Sequence, residues 1–324
     1  MKTLPRFSLA ALPTPVMPLP RLSEALGFRL LVKRDDLTGL AFGGNKTRKL
    51  ELLLADALAQ GAEMLLTTGA AQSNHCRQTA AAAAKAGLAC RLVLMEPPKS
   101  SGNLLLDGLL GAEVRWTTRE RRDADLARAA EDAAAEGRHP YVIPYGGSNA
   151  LGAAAYAYAL EELLSQGVTP DTIVFATSSG GTQAGLVAGA RLLGFRGRIL
   201  GISVDEPAEV LKPRVAALAS QTAALLGQSA DFRPEEILVE DAYAAPGYGV
   251  LTEAETAAIL RLARTEGLLV DPVYTGRAAA GLLDLASKGA FRTGETVLFW
   301  HTGGTPGLFA HDYAERLAKA AGLI

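Results

Sequence analysis

The stretch DTIVFATSSGGTQAGL, residues 171–186, decides the fold. Its first half holds a continuous apolar run, TIVFA, which a strand requires when its sheet is covered on both faces. Its second half, ATSSGGTQAG, opens a helix on Ser178, Ser179, Gly180, Gly181 and Thr182. These small residues leave backbone N–H groups unhindered at a helix N-terminus, where an anion is favoured. Such a turn is either a phosphate cradle or an ordinary βα connection, and the loop alone leaves both open. It matches neither G-x-G-x-x-G nor G-x-x-x-x-G-K-[ST], so the dinucleotide and nucleotide P-loop templates are excluded.

The same strand–turn–helix rhythm extends both ways. Strands are predicted at 29–35, 63–69, 90–96, 112–118, 141–144, 171–179, 197–204, 236–241 and 295–304. Between them, helices are predicted at 46–60, 73–86, 102–111, 121–136, 150–166, 182–194, 206–227, 252–267 and 277–288. This alternation argues for an α/β fold of mostly parallel sheets flanked by helices. Ligands in such folds bind beyond the carboxyl ends of the strands. Four strand ends carry unusual loops: 67–75, 144–152, 176–185 and 300–307. No linker or repeat interrupts the chain, so a second domain has to be an insertion.

Composition narrows the function. The 324 residues carry 32 Lys+Arg against 34 Asp+Glu, with no footprint for nucleic acid or an anionic membrane. Prolines 5, 13, 15, 18 and 20 break any signal-like apolar run, and no uninterrupted apolar stretch is long enough to span a bilayer. Cys76 and Cys90 show no metal-ligand spacing, which favours a reducing, cytoplasmic setting. His75, His139, His301 and His311 lack zinc spacing, so no catalytic metal is expected.

The chain nevertheless places Lys46, Arg48 and Lys49 at the start of a helix, in AFGGNKTRKLE (41–51). The dipole there disfavours cations. The arrangement is either a solvated basic turn or an anion site. Gln72, Ser73, Asn74 and His75 crowd a second helix start; Ser73 serves as N-cap, or all four hold a substrate carboxylate. Tyr248 in GYG and Tyr274 in DPVYTG sit in loops, outside any helical core period, and Thr302-Gly303-Gly304 forms another backbone nest.

Together these motifs resemble the fold-type-II pyridoxal-phosphate enzymes, in the branch of D-cysteine desulfhydrase and 1-aminocyclopropane-1-carboxylate deaminase. The resemblance runs from LPTP (12–15) and KRDDLTGLAFGGNKTRKLE (33–51) through TTGAAQSNHCRQTAAAA (67–83) and GNLLLDGLLGAEV (102–114). It continues at SSGGTQAGL (178–186), GYG (247–249), DPVYTG (271–276) and HTGGTPGLF (301–309). It implies a tryptophan synthase β-like fold of two open twisted sheets. A large domain (1–49 and 151–324) would take a small inserted domain (50–150), the cofactor would lie between them, and the protein would be a homodimer.

By the same resemblance, pyridoxal 5'-phosphate is bound covalently by Lys46. Asn74 meets its phenolic oxygen, and Lys49, Ser179, Gly180, Gly181 and Thr182 hold its phosphate. Tyr274 stacks on the ring and Thr302 lies near its nitrogen. Gln72, Ser73, Asn74 and His75 bind the substrate carboxylate, and Tyr248 approaches the leaving group. Arg48 is read as structural. The implied reaction is β-elimination from a small amino acid, with Lys46 taking the Cα proton. Cyclopropane deaminases have DPVYEG and an apolar residue at the position of Thr302; Thr275 and Thr302 here resemble the desulfhydrase pattern. L-Cysteate sulfo-lyase, the cyclopropane deaminase and a non-catalytic cofactor-binding paralogue are the alternatives.

Overall fold

The computed structural model describes residues 1–95, 101–245 and 247–324. Glu96, the end of a predicted strand, and Pro246, in the loop before Tyr248, lie outside them. Among the described residues the strands are β1 (Val16–Pro18), β2 (Arg29–Arg34), β3 (Met64–Ala70), β4 (Ala89–Met95), β5 (Glu113–Thr117), β6 (Pro140–Val142), β7 (Thr172–Thr177), β8 (Arg198–Ser203), β9 (Leu238–Glu240) and β10 (Thr296–His301). The helices are α1 (Pro20–Leu26), α2 (Asn45–Ala59), α3 (Asn74–Ala86), α4 (Gly102–Leu109), α5 (Arg122–Ala135), α6 (Ala150–Ser165), α7 (Gly181–Leu193), α8 (Ala208–Leu225), α9 (Glu253–Glu266), α10 (Thr275–Ser287) and α11 (His311–Ala321).

One sheet has the order β1-β2-β10-β7-β8-β9 and is parallel except for β1; the other, β5-β4-β3-β6, is wholly parallel. The alternating residues of β7 and β10 explain their continuous apolar runs. Val174, Val297 and Phe299 pack with Ile259, Leu262 and Leu282 of α9 and α10. Ile173, Phe175, Leu298 and Trp300 face Tyr156, Leu160 and Leu186 of α6 and α7. The smaller sheet is covered in the same way, by α2 and α3 on one face and α5 on the other.

Register then gathers the loops. Phe299 of β10 lies opposite both Val32 and Val174, so β2, β10 and β7 end nearly level. Their carboxyl-end loops, 35–44, 302–304 and 178–180, meet the loops that follow β3 and β6. Helix α7 lies close against α6 because Gly185 and Gly189 have no side chain; a Cβ on Gly185 would stand 2.0 Å from the Ala153 carbonyl oxygen.

Helix α2, which carries the three cations, is fastened from beneath. The Arg48 guanidinium is buried against Asp35 (2.8 and 3.0 Å) and Glu162 (2.8 and 2.9 Å). Asp35 also accepts from Thr14, Tyr156 and Trp300. Arg48 therefore has the structural part that the sequence suggests. Three elements escape the sequence reading. β1 is a three-residue edge strand between prolines, and α1 begins on Pro20, inside a stretch read only as proline-broken. α11 does carry an amphipathic period, with Tyr313 and Leu317 against the core, that the reading passes over.

Candidate active site

A cleft between the two sheets is lined by Lys46, Ser73, Asn74, Ser179, Tyr274 and Thr302, among others. Helix α2 enters it through a tight turn, with positive φ at Ala41, Phe42, Gly43 and Gly44. Only glycine fits at 43, where a Cβ would stand 2.2 Å from the Asp36 carbonyl oxygen. The backbone N–H of Asn45 donates to the Thr302 carbonyl (2.9 Å), locking this turn to the end of β10.

Lys46 and Lys49, one turn apart, point at the same atom: each Nζ lies 3.2 Å from the Gly146 carbonyl oxygen. Lys49 also reaches Ser148 Oγ at 3.3 Å, and neither amine has a carboxylate partner among the described residues. Burial lowers the Lys46 pKa to about 8. Burial, reinforced by the Lys46 charge, drives Lys49 well below the usual lysine range. Two buried amines sharing one carbonyl form an incomplete site that an anion completes.

The start of α7 supplies the rest of that site. Gly180 is the N-cap with φ +86, and no side chain caps the helix, so its first N–H groups stay open. A Cβ on Gly181 would lie 2.8 Å from Lys49 Nζ and 2.5 Å from Ser148 Oγ. Asn45 Nδ2 donates to Thr182 Oγ1 (3.0 Å), which leaves the Thr182 hydrogen free to donate. Ser148 and Ser179 share a hydrogen bond of 2.8 Å. Lys49, Ser179 and the 180–182 turn are thus brought together.

At α3, Ser73 Oγ caps by accepting from the Cys76 N–H (3.2 Å), so its own hydrogen remains available. Asn74 turns its carbonyl oxygen away, onto Arg77 and Asn103 (2.9 Å each). Two expected carboxylate contacts do not hold in the form stated. The Gln72 side chain points out of the cleft and ties the backbone of Ser101 and Asn103 (2.8 Å each), because Gln72 precedes the cap. The His75 ring cannot donate into the cleft. Thr67 Oγ1 gives its hydrogen to the Ile143 carbonyl and must accept from His75 Nε2 (2.9 Å), which leaves Nδ1 a bare acceptor. Burial, with the Lys46 and Lys49 charges, keeps the ring neutral. What remains for a carboxylate is the Ser73 hydroxyl and the backbone N–H groups of Asn74 and His75.

On the opposite wall, the Tyr274 and Tyr248 hydroxyls are 2.8 Å apart, their rings edge to face at 5.8 Å. Tyr274 lines the cleft and Tyr248 stands behind it. Burial raises both pKa values well above the usual range, so both hydroxyls are protonated, and when Tyr248 donates to Tyr274 the Tyr274 hydrogen is left for an acceptor in the cleft. Asp271 fixes Tyr274 by accepting its N–H (2.9 Å). Asp271 also takes the Thr275 hydroxyl (2.6 Å), turning that side chain away, so only Thr302 of the two branch-marking threonines lines the cleft.

Asn45, Tyr145 and Ser148 are site neighbours that the sequence reading does not assign. Asn45 lies within the quoted basic turn and the other two in the singled-out 144–152 loop; the loop signal was present but nothing distinguished the residues.

These pKa values give a first prediction. Only the neutral amine adds to an aldehyde, and its fraction grows as pH rises through the pKa. Uptake of pyridoxal phosphate by stripped protein, followed by visible absorbance, should accelerate with a midpoint near the pH 8 set for Lys46. A midpoint near the ordinary lysine value, about 10.4, would contradict the burial described here.

The chain matches the model of the family described as pyridoxal-phosphate dependent enzyme over residues 7–303. It is 46% identical over 318 residues to a D-cysteine desulfhydrase of Yersinia enterocolitica, covering 95% of this chain and 96% of that protein. A D-cysteine desulfhydrase of Klebsiella pneumoniae is 45% identical over 319 residues, with the same coverage. A crystal structure described as an ACC deaminase homologue superposes with a TM-score of 0.91 at 41% identity, covering 98% of this chain and 97% of that one. A fungal L-serine ammonia-lyase from Rhizomucor miehei shares the fold, with a TM-score of 0.70 at 15% identity over 97% of this chain and 99% of that one. With paired buried amines facing an open helix N-terminus, and with these relatives covering 95% or more of its length, the chain belongs to the pyridoxal-phosphate dependent enzymes.

Proposed function

We propose that the chain is a D-cysteine desulfhydrase, a carbon–sulfur lyase that converts D-cysteine and water to pyruvate, hydrogen sulfide and ammonia. The observation that carries the site is the pair of amines, Lys46 and Lys49, on one carbonyl beside the open start of α7. The desulfhydrase relatives, 45–46% identical over almost the whole length, support the substrate.

Lys46 is the covalent attachment point, and Lys49 with the 180–182 turn and Thr182 holds the phosphate. When bound, pyridoxal phosphate supplies the sink for the electrons left at Cα. The Ser73 hydroxyl and the first N–H groups of α3 hold the substrate carboxylate, where the helix dipole favours a negative charge. Lys46, freed as substrate binds, takes the Cα proton as a neutral amine. The Tyr274–Tyr248 pair leaves one O–H to protonate the departing sulfur. Thr302, whose side chain lines the cleft, would face the cofactor's ring nitrogen.

Pyruvate release assayed in parallel on D-cysteine, L-cysteine, L-cysteate and the cyclopropane amino acid tests the substrate. D-Cysteine should be fastest, with sulfide released in equal amount; preference for either of the last two would replace this reading. Thr302→Leu should slow sulfide release by roughly 10-fold, the loss of about one hydrogen bond to a neutral ring nitrogen. An unchanged rate would remove Thr302 from the argument.

We further read the protein as cytoplasmic, with both thiols reduced, and as a homodimer acting on a small amino acid. We read 1–49 with 151–324 and 50–150 as its two domains. Among the described residues no helix is long and apolar enough to cross a membrane.

A further inference from the structure

The motif GNLLLDGLLG (102–111) does not line the cleft, yet it sends the Asn103 side chain behind Asn74. We infer that Asn103, with Arg77, is a positioning residue that fixes which end of the Asn74 amide faces the cofactor, and thereby the charge on its phenolic oxygen. The inference rests on the cleft being the pyridoxal-phosphate site.

Chemistry alone determines the orientation of the network. A guanidinium only donates. The Asn103 atom 2.6 Å from Arg77 Nη1 must therefore be its oxygen. The other end of Asn103 is then Nδ2, which donates to the Gln72 carbonyl (2.8 Å) and to Asn74 (2.9 Å). The Asn74 atom that receives it must be Oδ1, and Arg77 Nη1 donates to that same oxygen (2.9 Å). With Oδ1 occupied by two donors, the Asn74 N–H groups are left for the cleft. The usual ambiguity of an amide end does not arise here.

Arg77 and Asn103 are fully buried, so water cannot replace a missing donor. Nor, among the described residues, is the Arg77 charge consumed by a salt bridge. Its other arm goes to the Gly43 carbonyl (2.9 Å), and the nearby Asp107 carboxylate has no hydrogen-bond partner among the described residues. A cation donating to Oδ1 polarises the amide, so the N–H opposite donates more strongly to an anionic oxygen. Donation to the charged form of a group lowers its pKa.

Asn103→Asp tests this with almost no change in shape. It replaces the donor to Asn74 Oδ1 by an acceptor, and the Asn74 amide should turn over. Wild-type and variant proteins, stripped and reloaded with pyridoxal phosphate, would be compared by cofactor titration and by the pH dependence of the visible band. In Asn103→Asp the dissociation constant should rise roughly 10- to 100-fold, and the midpoint of the band should move upward by about one pH unit. Asn103→Ala removes the donor without opposing it, so its upward shift should be smaller, with Arg77 still holding Oδ1. Circular dichroism identifies a variant that fails to fold. If Asn103→Asp fails, a folded Asn103→Ala with an unshifted midpoint overturns the inference by itself. Wild-type uptake with unshifted variants removes this inference alone; a wild type that takes up no cofactor removes the reading of the cleft as well.

Discussion

Replacing Lys46 with alanine is expected to lower turnover by roughly 10⁴-fold or more and to leave no borohydride-fixed adduct at residue 46. The loss follows from two tasks resting on one amine, covalent attachment of the cofactor and removal of the Cα proton. The fold should not suffer. Lys46 Nζ bonds the Gly146 carbonyl at 3.2 Å, which it shares with Lys49, and makes no ion pair among the described residues, so the substitution removes a buried amine without breaking a salt bridge. Stripped Lys46→Ala should therefore melt no lower than stripped wild type, as expected where function and stability conflict. Lys49→Ala is the control that separates the two lysines. It should weaken cofactor binding while the adduct still forms at Lys46, because only the phosphate loses a partner. An adduct on Lys49 in the Lys46→Ala protein, or substantial turnover there, would show that the roles have been assigned to the wrong amines.

The division between what the sequence discloses and what it hides has a physical basis. The alternation of strands and helices is legible because both sheets are covered on both faces, which turns TIVFA and TVLFWH into unbroken apolar runs. The loops are legible because anion-binding turns need small residues after such runs. Lys46 and Lys49 stand out because cations are misplaced at a helix start unless something anionic is bound there. Direction within a turn is not legible. QSNH places four polar residues together, but only the entry angle of α3 sends Gln72 outward to Asn103 and commits the His75 ring to Thr67. Thr275 is a similar case, taken by Asp271 four residues earlier. Partners far apart in the chain, such as Asn45 with Thr182 or Arg48 with Glu162, leave no local pattern at all.

The Arg48 network predicts the largest loss of stability. Asp35 is fully buried and accepts five hydrogen bonds: one from Thr14, two from Arg48, one from Tyr156 and one from Trp300. Asp35→Ala would remove one of the two carboxylates on the buried Arg48 guanidinium and the acceptor of three other donors, for which a cost of about 3 to 5 kcal/mol is expected. The urea midpoint should fall accordingly, and an unfolding free energy within about 1 kcal/mol of wild type would contradict it. Glu162→Ala should also destabilise, since it removes the carboxylate partner of the fully buried Lys33 (2.6 Å) as well as one of the two on Arg48. The pH dependence has a defined sign. Burial alone would raise the Asp35 pKa, but the Arg48 charge, the Arg48 hydrogen bonds and those from Tyr156 and Trp300 hold it below its ordinary 3.8. Its contribution is therefore complete above that value and is lost as pH falls through the lowered one, so Asp35→Ala should be less sensitive to acid than wild type. The consequence reaches the cleft, because Arg48 lies between Lys46 and Lys49 on α2. Loosening its anchor should also weaken cofactor binding, with no change to any residue that lines the site.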